Sequence, residues 1–165
     1  MLRNKNLIPL SHQHQHALAL CVRVERALSA GEVEPGQWQA EIQQIYEQEI
    51  GIHFAAEEKT LFPAAKEFSE LRNLVEELLE EHATLRDYFA RAARREMSEN
   101  ELQQFARTLS AHIRKEERHL FEGMQQLMKA EQLASLGHEL EKQLANASNA
   151  CLLPNAATRL RPRRK

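Results

Sequence analysis

HFAAEEKTLF, residues 53–62, returns without a gap as HIRKEERHLF, residues 112–121. Both stretches read H-x-x-x-E-E-(K/R)-x-L-F. On a helix, residues four apart lie one turn above each other on the same face, with Cβ atoms about 5–6 Å apart. His53 with Glu57, and His112 with Glu116, can therefore aim at a common point. Each of the four also falls on or beside an apolar stripe, where an unpaired carboxylate costs several kcal/mol.

Outward from these two copies, apolar periodicity marks four long helices and a weaker fifth. The first runs from about Ser11 to Ser29 through Leu10, His14, Ala17, Cys21, Val24 and Leu28, and breaks at the turn-rich GEVEPG of residues 31–36. The second spans about Gln37 to Phe62, where Pro63 is expected to end or kink it. The third starts near Ser69 and carries Leu71, Val75, Leu78, His82, Leu85 and Phe89. Ser98 opens the fourth, and its spacing to Glu101 fits a capping box. The fourth stripe continues through Leu102, Phe105, Leu109, His112, Ile113, Glu116 and Leu120 to Gly123. Leu133, Leu136, Leu140 and Leu144 predict a fifth helix laid against the others. Short connections make consecutive helices antiparallel neighbours, so the fold class expected is all-α, an up-down-up-down four-helix bundle with a short extra C-terminal helix. Residues 11–62 and 69–121 then form two related hairpins about an approximate twofold axis. One domain over residues 1–145 and a disordered basic tail over 146–165 complete the expected organisation.

Composition agrees. The chain has 165 residues, only five Gly and five Pro, and 5% aromatic side chains, which favours helices over sheet. Two cysteines, Cys21 and Cys151, make no disulfide framework. No apolar run of about 18 residues exists, which argues against a membrane span. The opening MLRNKNLIPL is too poor in apolar residues for a secretion signal, so a cytoplasmic location is expected. Lys plus Arg total 22 against 24 Asp plus Glu, a formal net charge of −2. Arg159, Arg161, Arg163, Arg164 and Lys165 supply five positive charges at the end, so the remainder carries −7. No aromatic residues interleave with those charges, and a solubilising end is expected rather than a nucleic-acid arm.

Eight histidines is a high count for this length. Four of them, His14, His53, His82 and His112, occupy stripe positions on four different helices. His53 and His112 lie about 10 residues before their helix ends and His82 about 13 after its start, so at about 1.5 Å per residue all sit roughly 15–20 Å from one end. His14 fits that level if its helix starts deeper and residues 1–10 fold over the open end. Four imidazoles and two carboxylates at one level suit two metal ions bridged by carboxylates. That donor set favours iron, zinc or manganese over magnesium or calcium. An oxo or hydroxo bridge would bring each ion to five ligands and leave room for a small exogenous one. Ferritin-like sites use two E-x-x-H pairs, and only Glu116 with His119 has that spacing here.

The H-x-x-x-E-E-K-x-L-F-P of the second helix, E-E-H on the third, H-x-x-x-E-E-R-x-L-F on the fourth and LSHQH on the first together resemble the hemerythrin HHE cation-binding family, over roughly residues 10–125. The resemblance implies a non-haem di-iron centre, with His14, His53, His82 and His112 as terminal ligands and Glu57 and Glu116 bridging. It also implies a small diatomic ligand, oxygen or nitric oxide, and leaves redox activity at the iron pair open, with an unknown redox partner. Oxygen-carrying members have a second histidine one turn from the third-helix ligand, where this chain has Leu78 and Arg86. They also place an aspartate five residues after the fourth-helix histidine, where this chain has Glu117. The pattern is more similar to the bacterial iron-centre repair and nitric-oxide-response members, which carry a glutamate matching Glu49. The cysteine-containing N-terminal domain of the repair proteins is not among these residues.

Glu49 is expected as a polar edge residue, with a role supporting the site or its access channel as the alternative. Glu58 and Glu117 are expected as solvated flanks, and His12 and His16 as surface residues, either of which could replace His14 in a shifted register. His119 is expected to be structural, His138 to lack a partner, Cys21 to fill core space and Cys151 to be an exposed tail thiol. Trp38 is expected on the bundle rim. A monomer or homodimer is expected.

Overall fold

A computed structural model describes residues 2–147, and among them every regular element is a helix. Helix α1 covers Ile8–Ala30. Helix α2 is a continuous run over residues 35–66, α3 covers Ser69–Ala93, α4 runs over residues 99–127, and α5 covers Ala130–Leu144. No helix among the described residues is long and apolar enough to cross a membrane. From Ser148 onward the basic tail, with Cys151, lies outside the described residues.

Local chemistry sets the ends. Gly31 takes the left-handed conformation at φ 67°, and its N–H reaches the carbonyls of Ala27 and Leu28, closing α1. The capping box at Ser98 is formed in both directions. Helix α1 begins at Ile8, three residues earlier than periodicity suggested, and α2 continues past Pro63 to Lys66. Helix α4 likewise passes through Gly123 to Leu127.

Both α2 and α4 contain a π-turn at the same place in the repeated motif, Glu57–Leu61 and Glu116–Leu120. Phe62 N–H bonds to the carbonyl of Glu57, and Phe121 N–H to that of Glu116, five residues back in each case. Such a turn inserts one residue into the helical repeat. The buried pair His53/Phe54 accordingly recurs at Leu61/Phe62, and His112/Ile113 at Leu120/Phe121, eight residues on rather than the seven of two regular turns. A further π-turn, Tyr46–Ile50, lies only in α2.

Two apolar clusters make up the core. One gathers Ala17, Leu20, Val24, Trp38, Ile42, Phe54, Leu85, Phe89, Phe105 and Leu109. Leu7, Leu10, Leu61, Phe62, Val75, Leu78, Leu120, Phe121 and Leu136 belong to the other. Each of α1 to α4 crosses from one cluster to the other at the level of its motif residue: α1 between Leu10 and Ala17, α2 between Phe54 and Leu61, α3 between Leu78 and Leu85, and α4 between Leu109 and Leu120. Trp38 is inside the first cluster, with the Arg23 guanidinium 5.5 Å over its ring, and not on the rim.

Helix α5 packs along α2, and residues 2–7 close over the same end. Leu7 is fully buried, and Asn6 sits so close to Gly137 that a Cβ there would lie 2.6 Å from the Asn6 Cβ. The expected cover of the open end is therefore present, formed by residues 2–7 while Ile8 to Leu10 are already helical.

Candidate metal centre

Between the two apolar clusters lies a buried polar layer, and all six sequence-predicted ligands are in it. His14, His53, Glu57, His82, His112 and Glu116 are each no more than 3% exposed. Their donor atoms form two overlapping groups of four, His14–His53–Glu57–Glu116 and Glu57–His82–His112–Glu116, with all atoms of a group within 4.8 Å of one another. Glu57 and Glu116 belong to both.

Each carboxylate divides its oxygens between the groups. Glu57 Oε1 lies 3.0 Å from His53 Nε2 and 3.9 Å from His14 Nε2, while its Oε2 lies 3.3 Å from His82 Nε2. Glu116 Oε2 is 3.2 Å from His14 Nε2, and Oε1 is 3.4 Å from His112 Nε2. His14 and His53 bring their Nε2 atoms within 3.0 Å of each other. Two nitrogens about 2.1 Å from one cation, at right angles, lie about 3 Å apart.

Opposite each inward Nε2, the Nδ1 of the same ring is held by a partner. His14 Nδ1 donates to Glu117 Oε1 at 2.7 Å, His53 to Gln13 Oε1 at 2.7 Å, His82 to Glu58 Oε1 at 2.8 Å and His112 to Glu81 Oε2 at 2.8 Å. The arrangement follows the repeat. The second Glu of each E-E doublet serves the histidine of another helix, Glu58 reaching α3 and Glu117 reaching α1. The residue just before His14 and just before His82 does the same for His53 and His112. The Phe that closes each motif packs on the matching ring, Phe62 on His82 at 5.2 Å and Phe121 on His14 at 5.5 Å. Glu58 and Glu117 are therefore not solvated flanks; they fix which ring nitrogen faces inward. Sequence reasoning missed them, and Gln13 and Glu81, although the doubled E-E and the polar residue preceding each third- and first-helix histidine were visible signals.

Three of these partners carry a cation. Arg3 bonds Glu117 at 2.5 Å, Arg86 bonds Glu58 at 2.6 Å, and Lys115 pairs with Glu81. Burial alone would lower the His14 pKa, but the surrounding carboxylates of Glu116, Glu117 and Glu57 override it and raise it to about 10. Glu117 is pushed up by burial and pulled further down by His14, Ser11 and Arg3, to about 2. Burial likewise works against Glu57 ionising, yet His53 and His82 hold it well below the usual carboxylate range. His82 is raised by Glu57, Glu116 and Glu58 despite burial.

Both oxygens of Glu57 and of Glu116, and the Nε2 atoms of His82 and His112, are buried without a hydrogen bond. Buried polar atoms are ordinarily satisfied, so this layer of unsatisfied donor atoms fits cations placed between them. A cavity of about 10 Å³, close to what one water requires, adjoins it. Ile50, Phe54, Leu109 and Ile113 form its apolar wall, and His14, His53, His112 and Glu116 face it.

The remaining histidines, His12, His16, His119 and His138, are exposed. His119 would share the face of His112 in a regular helix, and the π-turn rotates it out. His16 Nδ1 lies 3.0 Å from an oxygen of Glu49, which is buried one turn before His53.

A model of the hemerythrin HHE cation-binding domain matches residues 9–124. The chain belongs to that family, and its buried histidine and glutamate groups fit a metal centre. Comparison with curated proteins and with solved structures gives no match.

Proposed function

We propose that this is a non-haem di-iron protein of the cytoplasm that binds or senses a small ligand such as oxygen or nitric oxide. The observation that carries this reading is the pair of four-residue groups sharing Glu57 and Glu116. His14 and His53 would hold one iron and His82 and His112 the other, with both carboxylates bridging, on an up-down-up-down four-helix bundle with α5 laid against it. Zinc or manganese would suit the same donors. Bound iron supplies an electron-rich centre able to take up a diatomic molecule.

The chain's own residues do the rest. Glu117, Gln13, Glu58 and Glu81 orient the four rings, and the cavity beside them presents an apolar wall to a small ligand. Residues 1–145 form the functional unit, acting as a monomer or homodimer with an unknown redox partner.

A second reading keeps the centre and assigns it to iron-centre repair or to removal of nitric oxide or peroxide. Its support is that Leu78 is buried in the apolar core and Arg86 is paired with Glu58, where oxygen carriers place a further histidine. Metal analysis with an optical spectrum of freshly purified, iron-supplied protein tests both. Two irons per chain and near-ultraviolet absorption that shifts on adding azide are expected, whereas no stoichiometric metal overturns the proposal. Turnover of peroxide or nitric oxide, or iron transfer to an apo iron–sulfur protein, selects the second reading.

A further inference from the structure

The four inward histidines are not supported equally. Positions 13 and 81 are equivalent in the repeat, each immediately preceding a histidine of the layer and each accepting a hydrogen bond from a histidine on the next helix. Position 81 is a glutamate and position 13 a glutamine. His82 and His112 thus both donate to carboxylates, Glu58 and Glu81, whereas His14 donates to a carboxylate and His53 to the neutral amide oxygen of Gln13.

A carboxylate acceptor draws on the Nδ1 proton and makes the opposite Nε2 a stronger donor to a metal, and partners of this kind are worth about 10–100-fold in affinity. Net charge does not offset the difference. Each carboxylate partner has its own cation, Arg3, Arg86 or Lys115, so the outer groups sum to neutrality on both sides. Glu49, the other buried carboxylate near His53 in the chain, is committed to His16. What remains is the acceptor at His53.

We infer that Gln13 makes the two metal positions unequal: the one at His14 and His53 fills last and empties first. This rests on the di-metal reading above. Both histidines of this position and Gln13 line the cavity, whereas His112 alone of the other pair reaches it.

The full chain, loaded with two Fe(II) ions under anaerobic conditions and titrated with a graded chelator, tests this by metal content per chain. The wild type should release iron in two steps of one equivalent each, separated by about 10-fold or more in free chelator. Gln13→Glu should merge the steps by moving the weaker one up to the tighter. Glu81→Gln should merge them the other way, by moving the tighter one down. Both substitutions are isosteric, so a change in packing alone would not produce opposite shifts. A wild-type chain that binds two ions and releases them in one step, or steps that Gln13→Glu leaves in place, overturns the role of Gln13 while leaving the di-metal centre intact. A chain that binds no iron overturns the di-metal reading itself.

Discussion

Six side chains set the character of this protein, and their neighbours decide how they act. Glu57→Ala or Glu116→Ala should reduce binding to at most one metal per chain, because each removes an oxygen from both groups. Glu58→Ala should keep two metals but weaken binding by about 10–100-fold, through release of the His82 ring, as metal competition would read. Acidity should separate the metal-free and loaded forms. In the metal-free fold the raised pKa of His14, about 10, contributes stability that is complete below its ordinary 6.5 and is lost as pH climbs toward 10. Metal-bound histidines are neutral in the fold and protonate only on unfolding, so the loaded protein gains stability as pH rises through 6.5. Between pH 6 and 8, melting temperatures of the two forms should therefore move in opposite directions. The six inward residues were legible because a carboxylate or imidazole on an apolar stripe is out of place, and the repeat doubled the signal. Glu58 and Glu117 were not, since a residue adjacent to an inward one on a regular helix points about 100° away and reads as solvated.

At the level of elements, the π-turns set which residues after each motif histidine face inward. Counting in turns of 3.6 places His119 in line with His112 and Thr60 in line with His53, and the inserted residue puts Leu120/Phe121 and Leu61/Phe62 there instead. The slip was present in the sequence as an eight-residue spacing of large apolar pairs, but a single regular period absorbs it. Deleting Thr60 should replace the widened turn with a regular one and keep Leu61 and Phe62 facing the core at the seven-residue spacing of two regular turns, so circular dichroism should read an intact helical fold. Thr60→Ala keeps the residue count and should cost about 1 kcal/mol or less. The fourth helix offers a control far from the centre: Ser98→Ala removes the hydroxyl that accepts from Glu101 N–H, leaves the backbone N–H of residue 98 on the Glu101 carboxylate, and should cost about 1 kcal/mol in urea unfolding, with metal content unchanged. Helix number and order were readable from periodicity, whereas the passage of α2 through Pro63 was not. Proline tolerates the first turn of a helical segment, and Pro63 stands there just after the widened turn.

For the whole molecule, metal and fold are linked. A metal-free layer crowds unsatisfied carboxylates and imidazoles between two apolar clusters, and cations bound only by the folded state add to its stability. At free metal about a thousandfold above Kd, one site contributes about 4 kcal/mol. Removing the metal should then lower the melting temperature by about 8–16 °C for one such site, read by calorimetry with and without chelator.

The residues that meet in this layer are far apart in the chain. His14 lies near one end of the sequence, and Glu116, which both groups of four share, comes 102 positions later. During synthesis, neither group has its full set of donors until position 116 has left the ribosome. The same holds for the tether of Arg3 to Glu117, which spans 114 positions. Helices α1 to α3 can collapse as they emerge, but acquisition of the metal must wait for α4, so the centre is completed only after the helix carrying His112 and Glu116 has been made.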